Sequence, residues 1–161
     1  MDRSPTEPGI AVGMDTAAAI SRASTRAALV SALEQHLRAV TGARAVQLMW
    51  QADGTLQSLF NTQPTLRLPT LTERLQLLGG SNADGGNTTY VPMVVLGELR
   101  GWVALQPTQS DSGALQHLVA QAGTSLALLE RQAYQVSASR ELAMMDKIGR
   151  LLASTLQLDQ L

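Results

Sequence analysis

The C-terminal third of the chain constrains the fold most, because it predicts one helix that is longer than a small domain requires. From Asp111 onward no proline interrupts the sequence. Apolar residues recur there at three- and four-residue steps, which is the period of a helix. They are Leu115, Leu118, Ala122, Leu126, Leu129, Ala133 and Val136, followed by Leu142, Met145, Ile148 and Leu152. The phase of this stripe shifts between Val136 and Leu142, as it does in coiled coils with an interrupted heptad count. We therefore expect a long C-terminal coiled-coil helix.

Two hairpins precede this helix. Residues Arg44 to Gln51 alternate with the period of a strand, and Asp53-Gly54 predicts a tight turn into a returning strand over Leu56 to Phe60. A second pair of strands over Thr88 to Leu96 and Leu99 to Gln106 is expected around Gly97-Glu98.

Helices and a connector complete the pattern. Asp15 is a good cap for a short helix through Ala23, and Ser24 or Thr25 starts a longer helix that ends at Gly42. Residues 61–87 form a connector in which Thr70 caps a helix through Leu78, followed by a glycine-rich loop. The order predicts an α+β fold: an antiparallel sheet of two hairpins with terminal helices on one face.

Composition excludes several classes of function. The net charge of the 161 residues is -1 and the basic residues are dispersed, so we expect no binding to nucleic acid. There is no cysteine, which excludes disulfides, thiolate chemistry and a bilin attached through sulfur. No apolar run approaches the roughly 18 residues of a membrane span, and the start lacks the apolar core of a secretory signal. We expect a cytoplasmic protein.

The second hairpin carries a resemblance to a known family. Its sequence is Tyr90-Val91-Pro92-Met93-Val94-Val95-Leu96-Gly97-Glu98-Leu99-Arg100-Gly101-Trp102-Val103-Ala104-Leu105. It resembles the closing signature of GAF domains, a "VP(L/M)" strand, a short turn and then "xxGxxxL". The resemblance covers roughly Ser24 to Arg131. It implies a GAF-like domain over residues 15–130 and a signalling helix with the beginning of a second domain over residues 131–161. Residues 1–14 have no apolar period and contain two prolines and two glycines, which predicts a flexible leader.

The resemblance also implies a function. Such a chain would be a non-catalytic sensory or relay domain of a bacterial signalling protein, with a histidine kinase, a cyclase or a phosphatase as the downstream output. We expect a parallel homodimer held by the last helix, because its apolar stripe would otherwise face water. The predicted seam comprises Leu126, Leu129, Ala133, Val136, Met145 and Leu152. The alternative is a scaffold domain similar to the roadblock family, which dimerises without a ligand.

Chemistry separates the two faces of the predicted sheet. The uniformly apolar residues suit the side covered by helices, and these are Val46, Leu48, Val91, Met93, Val95, Leu99, Val103 and Leu105. The other side would hold any small-molecule ligand, with Gln47, Met49, Tyr90, Arg100 and Trp102 as the candidate contacts. The connector is short for a GAF domain, so we expect a reduced pocket. In the alternative interpretation, Tyr90 and Trp102 only cover the sheet.

No residues mark a catalytic or cofactor site. The sequence has no nucleophile elbow and no phosphate-binding loop, so we expect no enzyme activity within this chain. His36 and His117 are the two histidines, and each could ligate haem, since one proximal histidine can suffice. A structural role on the helices is favoured for both, and no cofactor or metal is predicted.

Overall fold

The structure is a computed structural model that describes residues 18, 20, 22–59, 66–106 and 112–158. The leader predicted over residues 1–14 and most of the short helix predicted over Asp15–Ala23 lie outside the described residues. Helix α1 spans Arg26–Thr41. Thr25 caps it, since its side chain accepts a hydrogen bond from the Ala28 N–H, and Gly42 ends it in the left-handed conformation at φ 62°.

In the described part of the chain, five antiparallel strands form one sheet. They are β1 (Ala45–Ala52), β2 (Thr55–Ser58), β3 (Ala83–Gly85), β4 (Thr88–Val95) and β5 (Glu98–Gln106), arranged in the order β2-β1-β5-β4-β3. The two predicted hairpins are therefore present, and β1 and β5 pair at the centre of the sheet. The predicted α+β class with an antiparallel sheet is confirmed.

The hairpin turns follow the backbone conformation that two-residue turns require. Asp53 and Gly54 both have positive φ, at 49° and 76°, so the predicted Asp-Gly turn forms. In the second hairpin the turn residues are Leu96 and Gly97, at φ 53° and 83°, while Glu98 already belongs to β5. The predicted turn at Gly97-Glu98 is thus displaced by one residue.

Strand β3 was not predicted. Its three residues, Ala83, Asp84 and Gly85, pair with Tyr90, Thr89 and Thr88 and make a third hairpin with β4. The glycine pairs Gly79-Gly80 and Gly85-Gly86 predict a loop here, and alanine, aspartate and glycine also have low strand propensity. Main-chain pairing with the edge of β4 holds β3 in place. This pairing requires no alternation of apolar and polar residues, so the sequence shows none.

Helix α2 spans Leu71–Leu78 and is the helix predicted within the connector. Thr70 and Glu73 form a reciprocal capping box at its start. Leu77 is fully buried, whereas the outer residues Leu71 and Leu75 are 76% and 61% exposed. Helix α2 therefore covers the sheet with one face and leaves an apolar stripe on the other.

The strand register shows which side chains lie on each face of the sheet, and it can be compared with the predicted helix-covered face and ligand face. Val46 pairs with Leu105, Leu48 pairs with Val103, and Val103 also pairs with Val91, so these side chains share one face. The last helix covers this face, since a Cβ added at its residue Gly123 would meet the Met93 side chain at 3.3 Å and Val95 at 3.6 Å. The fully buried core residues include Leu29, Leu33, Leu37, Val46, Leu48, Val91, Met93, Val103, Leu105, Val119, Ala122 and Leu126.

Leu99 is the exception to this sorting. Consecutive residues Met93 and Val94 of β4 pair with Gly101 and Leu99 of β5, so β5 contains one extra residue at this point. Such a bulge reverses the alternation of a strand. Leu99 accordingly packs against the cluster on the opposite face, and its assignment to the helix side was wrong.

Helix α3 spans Ser112–Leu158 and confirms the predicted long C-terminal helix at 47 residues. The chain divides into two compact units, residues 1–127 and 128–161. In the second unit, large apolar side chains are exposed, including Val136, Leu142, Met145, Ile148 and Leu152. Within the described residues, no helix has the length and apolar character needed to cross a lipid bilayer.

Candidate functional site

The sheet face opposite the core gathers four of the five predicted ligand contacts. Gln47 and Tyr90 both pair with Ala104, and Met49 pairs with Trp102, so their side chains share this face. All four are buried, with Tyr90 completely enclosed and Gln47 at 9% exposure. The structure therefore brings Gln47, Met49, Tyr90 and Trp102 together.

Side chains from the connector fill the centre of this face. Leu66, which precedes α2, and Leu77 of α2 pack with Met49, Tyr90 and Trp102 in one cluster of buried residues. Ala45, Ala83 and Ala104 complete the cluster, and Leu99 packs against it. The short connector is thus long enough to cover the sheet, and it does so by direct contact.

An ion pair holds the connector in place. The Arg67 guanidinium donates two hydrogen bonds to the Glu73 carboxylate, at 3.0 Å and 2.6 Å. Glu73 also accepts a hydrogen bond from the Thr70 N–H at 2.6 Å. The hydrogen bonds from Arg67 are the main reason that the pKa of Glu73 falls from 4.5 to about 2, despite the opposing effect of desolvation. Glu73 therefore stays ionised, and its carboxylate connects Arg67, which precedes α2, to Thr70 at the beginning of that helix.

Tyr90 connects this ion pair to the sheet. Its hydroxyl donates to the Arg67 carbonyl at 3.0 Å, and the Arg67 guanidinium lies 5.6 Å from the ring centroid. Burial raises the pKa of the hydroxyl, which remains a donor at neutral pH. Gly85 of β3 lies beside the pair, where a Cβ would overlap the Arg67 guanidinium and the Glu73 carboxylate. Tyr90 thus anchors the connector segment that packs over this face of the sheet.

Sequence reasoning missed Arg67, Glu73 and Gly85. The one available signal was the Thr70-Leu-Thr-Glu73 spacing, which is a capping-box pattern at the start of α2. Nothing in the sequence indicated that the same carboxylate would also bind Arg67.

Arg100 and Trp102 border a cleft at the edge of this face. The cleft has a volume of about 290 Å³ and is lined by Gln51, Gly54, Leu56, Arg74, Leu78, Leu99, Arg100, Gly101 and Trp102. Arg100 donates to the Gln51 carbonyl at 3.2 Å, and its guanidinium lies 5.3 Å from the centroid of the buried Trp50 ring. Gln47, Met49 and Tyr90 are not among these described lining residues. Of the five predicted contacts, Met49 and Tyr90 belong to the packed cluster, Arg100 lines the cleft and Trp102 belongs to both, while Gln47 is buried on the same face.

The two histidines lie apart from the cleft lining. His36 is buried on α1, where burial lowers its pKa and Nδ1 has no hydrogen-bond partner in the described part of the chain. His117 is exposed on α3. The described ranges contain no group of three metal-ligating side chains.

Comparisons with solved structures place this architecture among GAF domains. The GAF domain of the potassium sensor histidine kinase KdpD from Escherichia coli matches 79% of this chain and 99% of its own, with a TM-score of 0.59 and 17% identity. A Stigmatella aurantiaca phytochrome photosensory core module matches 81% of this chain and 39% of its own, with a TM-score of 0.56 and 14% identity.

A third similar structure is the A. aeolicus NlH2 GAF domain in an inactive state, which matches 78% of this chain and 96% of its own at a TM-score of 0.51 and 12% identity. No family model and no curated protein matches the sequence. At these identities the likeness concerns the fold, and the chain has a GAF-like fold. The resemblance seen in the second hairpin is confirmed at that level.

Proposed function

We propose that this chain is a non-catalytic GAF-type relay domain that forms a parallel homodimer through α3 and passes a signal to an output domain. The observation that carries the proposal is the apolar surface of the second unit. Its exposed large side chains include Leu128, Val136, Leu142, Met144, Met145, Ile148, Leu151 and Leu152. An amphipathic helix with such a surface is stabilised by pairing with another helix.

The predicted seam residues differ in how accessible they are. Ala133, Val136, Met145 and Leu152 are exposed and Leu129 is half-buried, so a second copy can reach them. Leu126 is instead fully buried in the core of the first unit, because it faces the sheet. It therefore does not belong to the seam, which begins after residue 127.

The remaining apolar residues fall into two heptad series. Leu129, Val136 and Ala143 recur every seven residues, and so do Ala138, Met145 and Leu152. The second series is offset by two residues, which corresponds to about 200° around a helix. One straight seam cannot bury both series, so two helix rotations compete. A choice between two rotations is the kind of two-state element that a relay needs.

The similar structures support a signalling role over the roadblock-like scaffold. The names of two of them denote a sensor histidine kinase and a phytochrome photosensory module. We infer by analogy a bacterial, cytoplasmic parent with a kinase, cyclase or phosphatase output. A scaffold has no need of the exposed helix beyond residue 127. The pocket is reduced in this proposal, since Leu66 and Leu77 occupy the centre of the ligand face.

Sedimentation velocity tests the dimer. The wild-type chain should sediment as a dimer, and a Met145→Lys/Leu152→Lys variant should dissociate at lower protein concentrations, because two buried lysines per helix cost more than the apolar contacts they replace. Ser137→Lys/Ser154→Lys adds the same charge at polar positions and should remain dimeric. A wild-type monomer at high concentration contradicts the proposal.

A single introduced cysteine tests the orientation. The chain has no cysteine, so Met145→Cys provides one thiol per protomer. In a parallel dimer the two thiols meet at the seam and form a disulfide on oxidation. An antiparallel dimer separates the thiols, so the absence of a crosslink from both Met145→Cys and Ala143→Cys, which face the partner in the two alternative rotations, would contradict the parallel relay.

A further inference from the structure

Helix α2 carries a leucine stripe on the side that faces away from the sheet. Its residues Leu71, Leu75 and Leu78 are 76%, 61% and 63% exposed. Their spacing of four and then three residues is that of the core positions in a two-stranded coiled coil. Leu68, three residues before Leu71, continues this spacing just ahead of the helix and is 50% exposed. The stripe has the pattern by which one helix packs against another.

The opposite side of α2 is fixed, so the leucine stripe stays on the surface. Leu77 is fully buried in the cluster that packs on the sheet, and Glu73 accepts two hydrogen bonds from Arg67. The capping box of Thr70 and Glu73 also fixes the first turn. A partner therefore meets a helix that is already formed and oriented, which lowers the ordering cost of binding.

The charge beside the leucine stripe is positive. The charged residues within residues 66–80 are Arg67, Glu73 and Arg74, and the first two form the ion pair described above. Arg74 is exposed and lies beside the stripe, at one of the positions that flank the core of a coiled coil. Its Nε donates to the Pro69 carbonyl at 3.2 Å, and this neutral acceptor orients the side chain without compensating its charge. A carboxylate on the docked helix suits this position.

A second copy of α2 does not supply that carboxylate. In a two-fold antiparallel pair of α2 helices Arg74 would face its own counterpart, and like charges repel. In a parallel pair it would face the position of Gly79, which has no side chain. A lipid surface also fits poorly, since residues 66–80 contain no aromatic residue and one arginine outside the ion pair. The occupant that fits is a helix of different sequence.

We propose that the outer face of α2 docks an acidic amphipathic helix of a partner protein. The apolar side of that helix packs against Leu71, Leu75 and Leu78, and a carboxylate beside its apolar side binds Arg74. This surface belongs to the first unit, whereas the proposed dimer seam begins after residue 127. The proposal therefore goes beyond the relay function and does not depend on it.

A synthetic peptide of about three heptads tests the docking surface, with leucine at the core positions and glutamate at the flanking positions. Its glutamates repel one another at neutral pH and keep the peptide from pairing with itself. Fluorescence anisotropy with the full chain should give a dissociation constant on the order of micromolar. A peptide with serine at the core positions should bind at least about tenfold more weakly. A peptide with lysine at the flanking positions should bind about fivefold more weakly, because it repels Arg74.

Substitutions on α2 locate the binding. Leu71→Ser/Leu75→Ser should weaken binding of the glutamate peptide at least about tenfold, because two apolar contacts are lost. Arg74→Gln should weaken it about three- to fivefold, as expected for one exposed ion pair. Arg44→Gln removes an exposed arginine that precedes β1 and should leave the affinity unchanged. Thermal unfolding verifies that all three variants fold.

A matched variant separates this surface from α3. Leu142→Ser/Leu151→Ser removes two leucines of comparable exposure, 68% and 59%, and should bind the peptide as the wild type does even if the dimer weakens. Binding that is lost in this variant and kept in Leu71→Ser/Leu75→Ser would place the peptide on α3 and overturn the proposal. No binding of the glutamate peptide, equal binding of the lysine peptide, or an unchanged affinity in Arg74→Gln would also overturn it.

Two further measurements test the other occupants. If the wild type sediments with vesicles of phosphatidylcholine and phosphatidylglycerol and Leu71→Ser/Leu75→Ser does not, the leucine stripe binds a lipid surface and the proposal is wrong. If Leu71→Ser/Leu75→Ser self-associates more weakly than the wild type in sedimentation velocity, the stripe binds a second copy and the proposal is equally wrong. The expected result is that neither vesicle binding nor self-association depends on these two leucines.

Discussion

The hydroxyl of Tyr90 donates a hydrogen bond to the main-chain carbonyl of Arg67 at 3.0 Å, and this contact joins β4 to the connector across 23 residues of sequence. The Tyr90 ring is fully buried in the same cluster as Leu66 and Leu77. The hydroxyl of Tyr90 therefore holds the connector on the sheet, and the aromatic ring packs beneath the connector.

Removing this hydroxyl should destabilise the domain. Tyr90→Phe keeps the ring but leaves the Arg67 carbonyl without its donor, which should lower the free energy of unfolding by about 1 kcal/mol. Urea denaturation measures the change. Tyr134→Phe is the matched control, because Tyr134 is 77% exposed on α3 and should change stability by less than about 0.5 kcal/mol. Equal effects of the two substitutions would show that the Tyr90 hydrogen bond contributes nothing.

Gly85 should resist even the smallest side chain. A Cβ at this position overlaps both partners of the Arg67–Glu73 ion pair, so Gly85→Ala should cost about 1–3 kcal/mol as the pair moves apart. Gly149→Ala is the control, since a Cβ there meets no atom within 4 Å and alanine favours the helix by up to about 1 kcal/mol. The two substitutions are thus expected to change the melting temperature in opposite directions. A neutral Gly85→Ala would mean that the ion pair relaxes freely.

The Glu73 carboxylate should make stability depend on acid pH. Its pKa is about 2 in the folded protein against an ordinary value of 4.5, so between these values the unfolded chain binds a proton that the folded chain does not. The stabilisation is complete above pH 4.5 and declines as the pH falls toward 2.

The measurement compares the wild type with Glu73→Gln by urea denaturation at several pH values. Wild type should be the more stable above pH 4.5, and the difference should shrink as the pH approaches 2. Glu141→Gln removes an exposed glutamate on α3 and should leave the pH profile of the wild type unchanged. A constant difference between wild type and Glu73→Gln across this range would rule out the ion pair as its source.

Sequence periodicity predicted the elements whose burial repeats along the chain. Helix α1 and the part of α3 before residue 127 each bury one face, and along β1 successive residues alternate between the two covered faces of the sheet, so their apolar residues recur with a fixed period. Strand β2 is exposed along its length and was predicted from the Asp53-Gly54 turn that precedes it. Strand β3 has no such face, because Ala83 to Gly85 are held by main-chain pairing with Thr88 to Tyr90. The period of apolar residues along the sequence therefore could not predict this strand.

The face of each predicted site residue was predictable only where the alternation is regular. Gln47, Met49, Tyr90 and Trp102 fall on one face as expected, whereas the bulge beside Met93 moves Leu99 to that face. Whether the face is open depends on contacts between distant segments. Arg67 and Tyr90 are 23 residues apart, and neither position alone indicates that they meet. The packed centre and the cleft at the edge therefore required the structure.

The last prediction concerns the segment of α3 in which the two heptad series overlap. Ser139 lies three residues after Val136 and four before Ala143, so it shares the helix face of the first series, and it directly follows Ala138 of the second series. Ser139→Leu should therefore favour the rotation that buries Leu129, Val136 and Ala143. Each leucine buried in a seam contributes on the order of 2 kcal/mol, so the dissociation constant of the dimer should fall at least about tenfold.

Cysteine crosslinking distinguishes the two rotations directly. Ser139→Leu should raise the yield of the symmetric disulfide formed by Ala143→Cys and lower that formed by Met145→Cys, because only one of these positions faces the partner in each rotation. Ser137→Leu adds the same side chain outside the first series and should change neither the affinity nor the ratio of the two yields. A dimer that tightens with Ser139→Leu while the crosslinking ratio stays at the wild-type value would mean that a single seam persists. In that case α3 joins two protomers without switching between rotations, and the relay must use another part of the chain.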